Sequence, residues 1–240
     1  MFQTLRSVGS LLLSFGLLLL ANGLFGTLLG LRSKLEGFST EATGLVMAGY
    51  SIGLLLGALF AVWVVARVGH IRAFAAFASI MSVAVLSHLL WVDVVVWFLL
   101  RIVAGFTMAG MVMVSESWIN ERAENSVRGQ ILALYMATNY LGSGLGQLLL
   151  NVGRPEDFQL FVIASIIFSI ALVPVLLTKA SSPKPVAPKR IPIRQLFAIS
   201  PVGVFGAVCA GTSNASVNTL GPIYAADNAL SIAQVSAFMA

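Results

Sequence analysis

The sequence predicts an all-α integral membrane protein, a six-helix bundle followed by the first helices of a second bundle. Three observations carry that expectation. Hydrophobic residues make up 58% of the 240 residues, charged residues only 10%, and the mean hydropathy is +0.95, outside the balance of a soluble domain. Apolar runs of bilayer-crossing length, about 20 residues each, fall near 8–30, 42–66, 73–91, 94–118, 130–151, 158–178 and 196–225, and an eighth begins near Ser231. A basic, proline-rich stretch after the sixth run cannot continue a helix. It divides the chain into a six-span bundle at 1–178, a linker at 179–195 and the start of a second bundle at 196–240. The runs exceed barrel strands in length and lack their alternation of polar and apolar residues, so the spans are helical.

Orientation follows from the basic residues. Leaving aside Arg101, which lies within a span, ten fall on one side (Arg6, Arg67, Arg72, Arg122, Arg128, Lys179, Lys184, Lys189, Arg190, Arg194) and three on the other (Arg32, Lys34, Arg154). The positive-inside rule then puts the N-terminus and the linker in the cytoplasm, in a multi-pass protein of the cell's inner (plasma) membrane. The net charge of +5 needs no nucleic acid to explain it. Trp91 and Trp97 flank an outer turn and Trp63 and Trp118 lie near inner ends, as expected of interfacial aromatics. The single cysteine, Cys209, forms no intrachain disulfide.

The first run follows Arg6 but exceeds the apolar part of a signal peptide and shows no cleavage site, so it is a retained span. Its Asn22, beside Gly23 and Gly26, either lines a solute cavity or bonds a neighbouring helix. In the second run Gly49, Gly53 and Gly57 recur every four residues and form a packing seam. Arg67, Gly69 and Arg72 make the basic turn to the third run, and His70 and His88 are expected to be solvated at membrane edges.

The fourth run carries the central polar pattern. Arg101, Gly105, Ala109, Val112 and Glu116 fall on one gently drifting stripe, and the 15 residues from Arg101 to Glu116 span about 22 Å. They cannot pair with each other. Arg101 is a buried guanidinium suited to a central pathway. Glu116 is either a proton-coupling or substrate-binding acid or the gate partner of Arg67, Arg72 or Arg128. In the fifth run Tyr135 and Asn139 form a polar patch, on a cavity wall or between helices, with Gly142 and Gly146 beyond. The seventh run is unusually polar: Asn214 and Asn218 share a face, and Gly221 with Pro222 should interrupt the helix near its outer end. Broken polar spans are where transporters place binding sites and gates.

RIVAGFTMAG resembles the RxxxGxxxG of the fourth span in the major facilitator superfamily, with the final glycine displaced to Gly110. The Arg128–Gly129 pair before the fifth span is similar too. SESWINE, RGQILALYMATNYLGSGLGQLLL and the polar seventh span look like the YcaD-like branch, and the resemblance covers essentially the whole chain. One motif departs: GxxxD(R/K)xG(R/K)(R/K) between spans two and three is matched at Arg67, Gly69 and Arg72, with Val62 and Ala66 where its first Gly and its Asp would stand. The resemblance implies two six-span halves around a cavity lined mainly by spans one, four, seven and ten. It also implies that the chain holds one half and a fragment of the other, with the missing C-terminal half of the same chain as its partner.

The function expected is secondary active transport of a small organic solute by alternating access, with protons as a candidate coupling ion. The rival is a non-transporting membrane scaffold or sensor. No nucleotide-binding loop, metal-ligand cluster or nucleophile with a base occurs, so neither a cofactor nor an enzyme activity is expected.

Overall fold

Short turns between long apolar runs force successive helices to lie antiparallel. The computed structural model describes residues 2–122, 127–178 and 192–240. It is all helical, with α1 (Phe2–Leu35), α2 (Thr40–Val68), α3 (His70–Leu90), α4 (Val94–Arg122) and α5 (Arg128–Leu148), then a 3-10 turn at Leu149–Val152. There follow α6 (Gln159–Ile170), α7 (Leu172–Leu176), α8 (Ile193–Ile199), α9 (Pro201–Asp227) and α10 (Ile232–Met239). Most of the expected linker, with Lys179, Lys184, Lys189 and Arg190, lies outside the described residues, as do the side chains of Arg6 and Arg122.

Among the described residues five helices are long and apolar enough to cross a membrane, and six if α8 and α9, bent by 114° at Ser200, count as one broken span. The run expected at 130–151 forms α5 but is not among them, because Tyr135, Asn139, Ser143 and Gln147 dilute its apolar content. The bend at Ser200 has a local cause. Pro201 opens α9 at the position where a missing N–H costs nothing, and the Ser200 hydroxyl accepts from the Gly203 N–H at 3.1 Å.

The interruption expected at Gly221 and Pro222 does not occur, since α9 runs through both to Asp227. Pro222 has no N–H to give the Asn218 carbonyl one turn earlier, and the helix runs on without that bond. Its ring packs on Gly30 of α1, where a Cβ would come within 3.0 Å of it.

The seam on α2 and the stripe on α4 are each other's partners. A Cβ added to Gly49 would meet the Phe98 carbonyl and the Arg101 side chain, one on Gly53 the backbone at Ile102 and Gly105, and one on Gly57 the backbone at Phe106 and Cβ of Ala109. Two helices this close gain dispersion and backbone contacts in lipid, where apolar burial alone gives no drive to associate. Gly142 and Gly146 of α5 meet α1 the same way at Gly16 and Leu20. Gly110 presses on the Phe77 ring of α3, which explains why a glycine stands there. The turns are capped locally: Gly69 holds φ +85°, open to glycine at little cost, and Ser39 accepts from the Ala42 N–H.

Several membrane-edge expectations are corrected. Trp97 and Trp118 are fully buried, so they do not belong to an interfacial belt, whereas Trp63 and Trp91 are exposed. The Trp97 indole N–H reaches the Trp91 carbonyl at 2.8 Å and that of His88 at 3.1 Å, locking the α3–α4 turn. His88 is buried, its Nδ1 2.7 Å from the Ala84 carbonyl. His70 is buried too, its Nε2 3.2 Å from the Ser117 hydroxyl of α4. Aromatic and imidazole bodies near a helix end can pack inward as readily as outward, and sequence position alone does not separate the two.

Candidate functional site

Five helices enclose one polar cavity of about 750 Å3, within the range of small-molecule sites. Its lining comes from α1 (Asn22, Thr27), α2 (Tyr50, Ser51), α4 (Arg101), α5 (Ser143, Gln147) and α9 (from Gly211 to Thr219). Of the residues singled out in the sequence, Asn22, Arg101, Asn214 and Asn218 meet here. The resemblance implied walls from spans one, four and seven; α2 and α5 contribute as well, because the glycine seams draw both against α4 and α1.

Arg101 is 97% buried, with 3% of its surface exposed. Its guanidinium carbon lies 4.2 Å from the centre of the Tyr50 ring and 5.6 Å from that of Phe25, so aromatic faces cover its plane. Its edge is different: among the described residues, Nε and Nη1 have no hydrogen-bond partner. Beside it, Tyr50 donates its hydroxyl to Asn22 Oδ1 at 3.0 Å, and Thr27 donates to Gln147 Oε1. Both amide oxygens are therefore engaged, leaving the Asn22 and Gln147 amino groups as donors. On α9, Asn218 donates to the Asn214 carbonyl one turn earlier at 2.8 Å.

A second, smaller cleft of about 310 Å3 lies between α4 and α5, lined by Glu116, Asn120, Arg128 and Tyr135 among others. Glu116 is exposed to this cleft and accepts from the Tyr135 hydroxyl at 2.5 Å. The Tyr135 ring stacks on Phe15 of α1, centroids 4.6 Å apart. Among the described residues no ion pair joins Glu116 to Arg67, Arg72 or Arg128, and the side chain that meets it is a tyrosine. Arg128 shares the cleft, Arg67 lines a separate one beside Trp63, and Arg72 is exposed. Asn139 is half-buried on α5 and lines neither the large cavity nor the Glu116 cleft.

Contacts between the part up to α7 and the helices after it complete the geometry. Lys34, at the end of α1, meets Asp227, at the end of α9, at 2.8 Å, and also donates to Thr40. Asn151 donates to the Ser236 hydroxyl of α10 at 2.7 Å. Sequence reasoning missed Tyr50, Thr27 and Gln147 as cavity residues and Asp227 as a partner. For Tyr50 a signal existed, its place next to Gly49 on the seam that draws α2 against Arg101.

The sequence matches the family model of the Major Facilitator Superfamily over residues 11–240. It is 27% identical over 216 residues to the uncharacterized MFS-type transporter YcaD of Escherichia fergusonii, covering 89% of this chain and 56% of that protein. The chain thus spans about half the length of the curated relatives it matches. Among solved structures, a bacterial homolog of the human lysosomal transporter Spinster, inward-facing and unoccupied, superposes with a TM-score of 0.73 at 15% identity, over 97% of this chain and 58% of that one. The nucleoside transporter NupG (D323A mutant) gives 0.69 at 14% identity, over 90% and 57%. At those identities the likeness speaks for the fold, and the family match over nearly the whole length speaks for descent: this multi-pass membrane chain belongs to the major facilitator superfamily.

Proposed function

We propose that the whole protein is a secondary transporter that carries a small organic solute through the cavity around Arg101 by alternating access. The observation that carries this reading is the cavity itself: a polar space within apolar helices, walled on one side by the six-span part and on the other by α9 of the next. Buried polar groups are costly in a membrane interior and are kept where they bind something or hold helices together. Here Asn22, Arg101, Gln147 and Asn214 converge on open space instead of on one another. Lys34–Asp227 and Asn151–Ser236 are polar contacts between the two parts, of a kind that can break and re-form as one part rocks against the other. The N-terminus and the linker are assigned to the cytoplasm by the basic residues.

The test is solute uptake into sealed vesicles containing the full-length protein, with and without a pH gradient. Concentrative uptake that responds to the gradient supports transport coupled to protons; gradient-independent equilibration supports facilitated transport. A protein that moves no solute in either condition is a scaffold or sensor, and the reading falls.

A further inference from the structure

We infer that the cavity selects an anionic solute, a small carboxylate whose charged end pairs with the Arg101 guanidinium. The inference rests on the transport reading for its physiological meaning, but its chemistry stands on the part of the cavity that this chain forms. Three features point the same way. First, the described residues lining the cavity include one cation, Arg101, and not a single carboxylate. Second, that cation is 97% buried, and its Nε and Nη1 donors have no acceptor among the described residues. A guanidinium taken out of water without an anion is an expensive arrangement, and the two aromatic faces over its plane compensate its charge but not its N–H groups. Third, the neighbouring amides are turned so that their oxygens accept from Tyr50 and Thr27. Their amino groups remain as donors.

A cation and amide donors lining one cavity are complementary to a carboxylate, which accepts on both oxygens and matches the guanidinium fork. A cationic solute would meet a like charge that no described lining residue compensates, and a neutral one would leave the guanidinium without a counter-charge. The rest of the wall is Ser51, Ser143, Thr212, Ser216 and Thr219 with Met47 and Leu54, so the body of the solute is expected to carry hydroxyl groups.

The test uses the purified full-length protein and follows its thermal unfolding midpoint with acetate, pyruvate, lactate, malate, gluconate and benzoate, each against its neutral amide. At least one carboxylate, with a hydroxy acid foremost, should raise the midpoint while its amide does not. Arg101→Gln should weaken the apparent affinity for that carboxylate by about tenfold or more, as expected for a lost charge-assisted pair, and Arg101→Lys should retain part of it. Should Arg101→Gln fail to fold, Asn22→Asp keeps the guanidinium and its packing but places a fixed carboxylate in the cavity, and it should abolish the response. Equal responses to acid and amide, no response to any carboxylate, or a response unchanged in these variants would overturn the assignment. Vesicle uptake separates the two levels. If the protein moves neutral solutes and no carboxylate, transport stands and the anion assignment falls; if carboxylates stabilise it but none crosses, the reverse holds.

Discussion

At the residue scale, Arg101→Lys is the informative change because it keeps the charge and removes the planar fork. The ammonium cannot lie flat beneath Tyr50 at 4.2 Å and present several donors at its edge. Uptake by the full-length protein should fall by about tenfold with expression unchanged; wild-type kinetics would make Arg101 a packing residue. Glu116 needs a different test because, among the described residues, its partner is Tyr135 and no arginine pairs with it. If the pair only ties α4 to α5, Tyr135→Phe, which removes the donor, should cost about 1 kcal/mol, Glu116→Gln, which keeps an acceptor oxygen, should cost less, and both should leave the pH profile of uptake its shape. Should Glu116→Gln alone abolish gradient-driven uptake while exchange of labelled for unlabelled solute persists, Glu116 carries the coupled proton. Of the polar residues that line the cavity, Arg101 is legible because it stands out against apolar neighbours, and Asn214 and Asn218 because they recur on one face of an unusually polar run. Gln147 and Thr27 are not, since each lies near a run's end or beside glycines where a polar residue is unremarkable. The partner of Glu116 escapes a reading by formal charge, which points to arginine, while the 19 positions to Tyr135 bring a hydroxyl across the α4–α5 cleft.

At the element scale, the glycines on α2 differ in kind although the sequence writes them alike. A Cβ on Gly53 would strike backbone of α4 at Gly105 and Phe106, whereas one on Gly44 meets nothing within 4 Å. Gly53→Ala should therefore cost about 1–3 kcal/mol through forced separation of the helices, and Gly44→Ala should be neutral or stabilising by up to about 1 kcal/mol. Thermal unfolding of the full-length protein in detergent compares them, and equal effects would show that the seam is not a close contact. The four-residue spacing announces this seam, but not that its partner is the Arg101 stripe, because spacing defines a face and says nothing of what covers it. Pro222 departs from its expectation for a related reason. Proline gives up the bond to the carbonyl four residues earlier wherever it stands past the first turn, and here α9 runs on with its ring packed on Gly30.

At the scale of the whole molecule, the segregation of basic residues predicts that a tag near Lys184 is cytoplasmic and one near Arg154 external. Impermeant labelling of both positions in intact cells checks it, and finding them on one side would overturn the span count. The same orientation puts Lys34 and Asp227 at the outer end, where α1 of the first part meets α9 of the second. Their side chains are 23% and 52% exposed, so the bridge contributes no more than about 1 kcal/mol. That small figure is what a moving contact requires. On the proposed alternating-access cycle, whose two states are expected to differ by only a few kcal/mol, a tie of this strength would bias this end towards closure by up to about fivefold without locking it. Asp227→Asn removes the charge and keeps the shape, and it should shift the population towards the state in which the ends of α1 and α9 separate. Spin labels at Leu35 and Asn228 in the full-length protein would report this as a growing long-distance component. Raising the salt concentration should produce part of the same shift in the wild type, because an exposed pair is screened. The packing of Pro222 on Gly30, being apolar, should not respond to salt. A distance distribution indifferent to both the substitution and the salt would mean that this pair decorates the outer end and that the closure rests on the apolar contact alone.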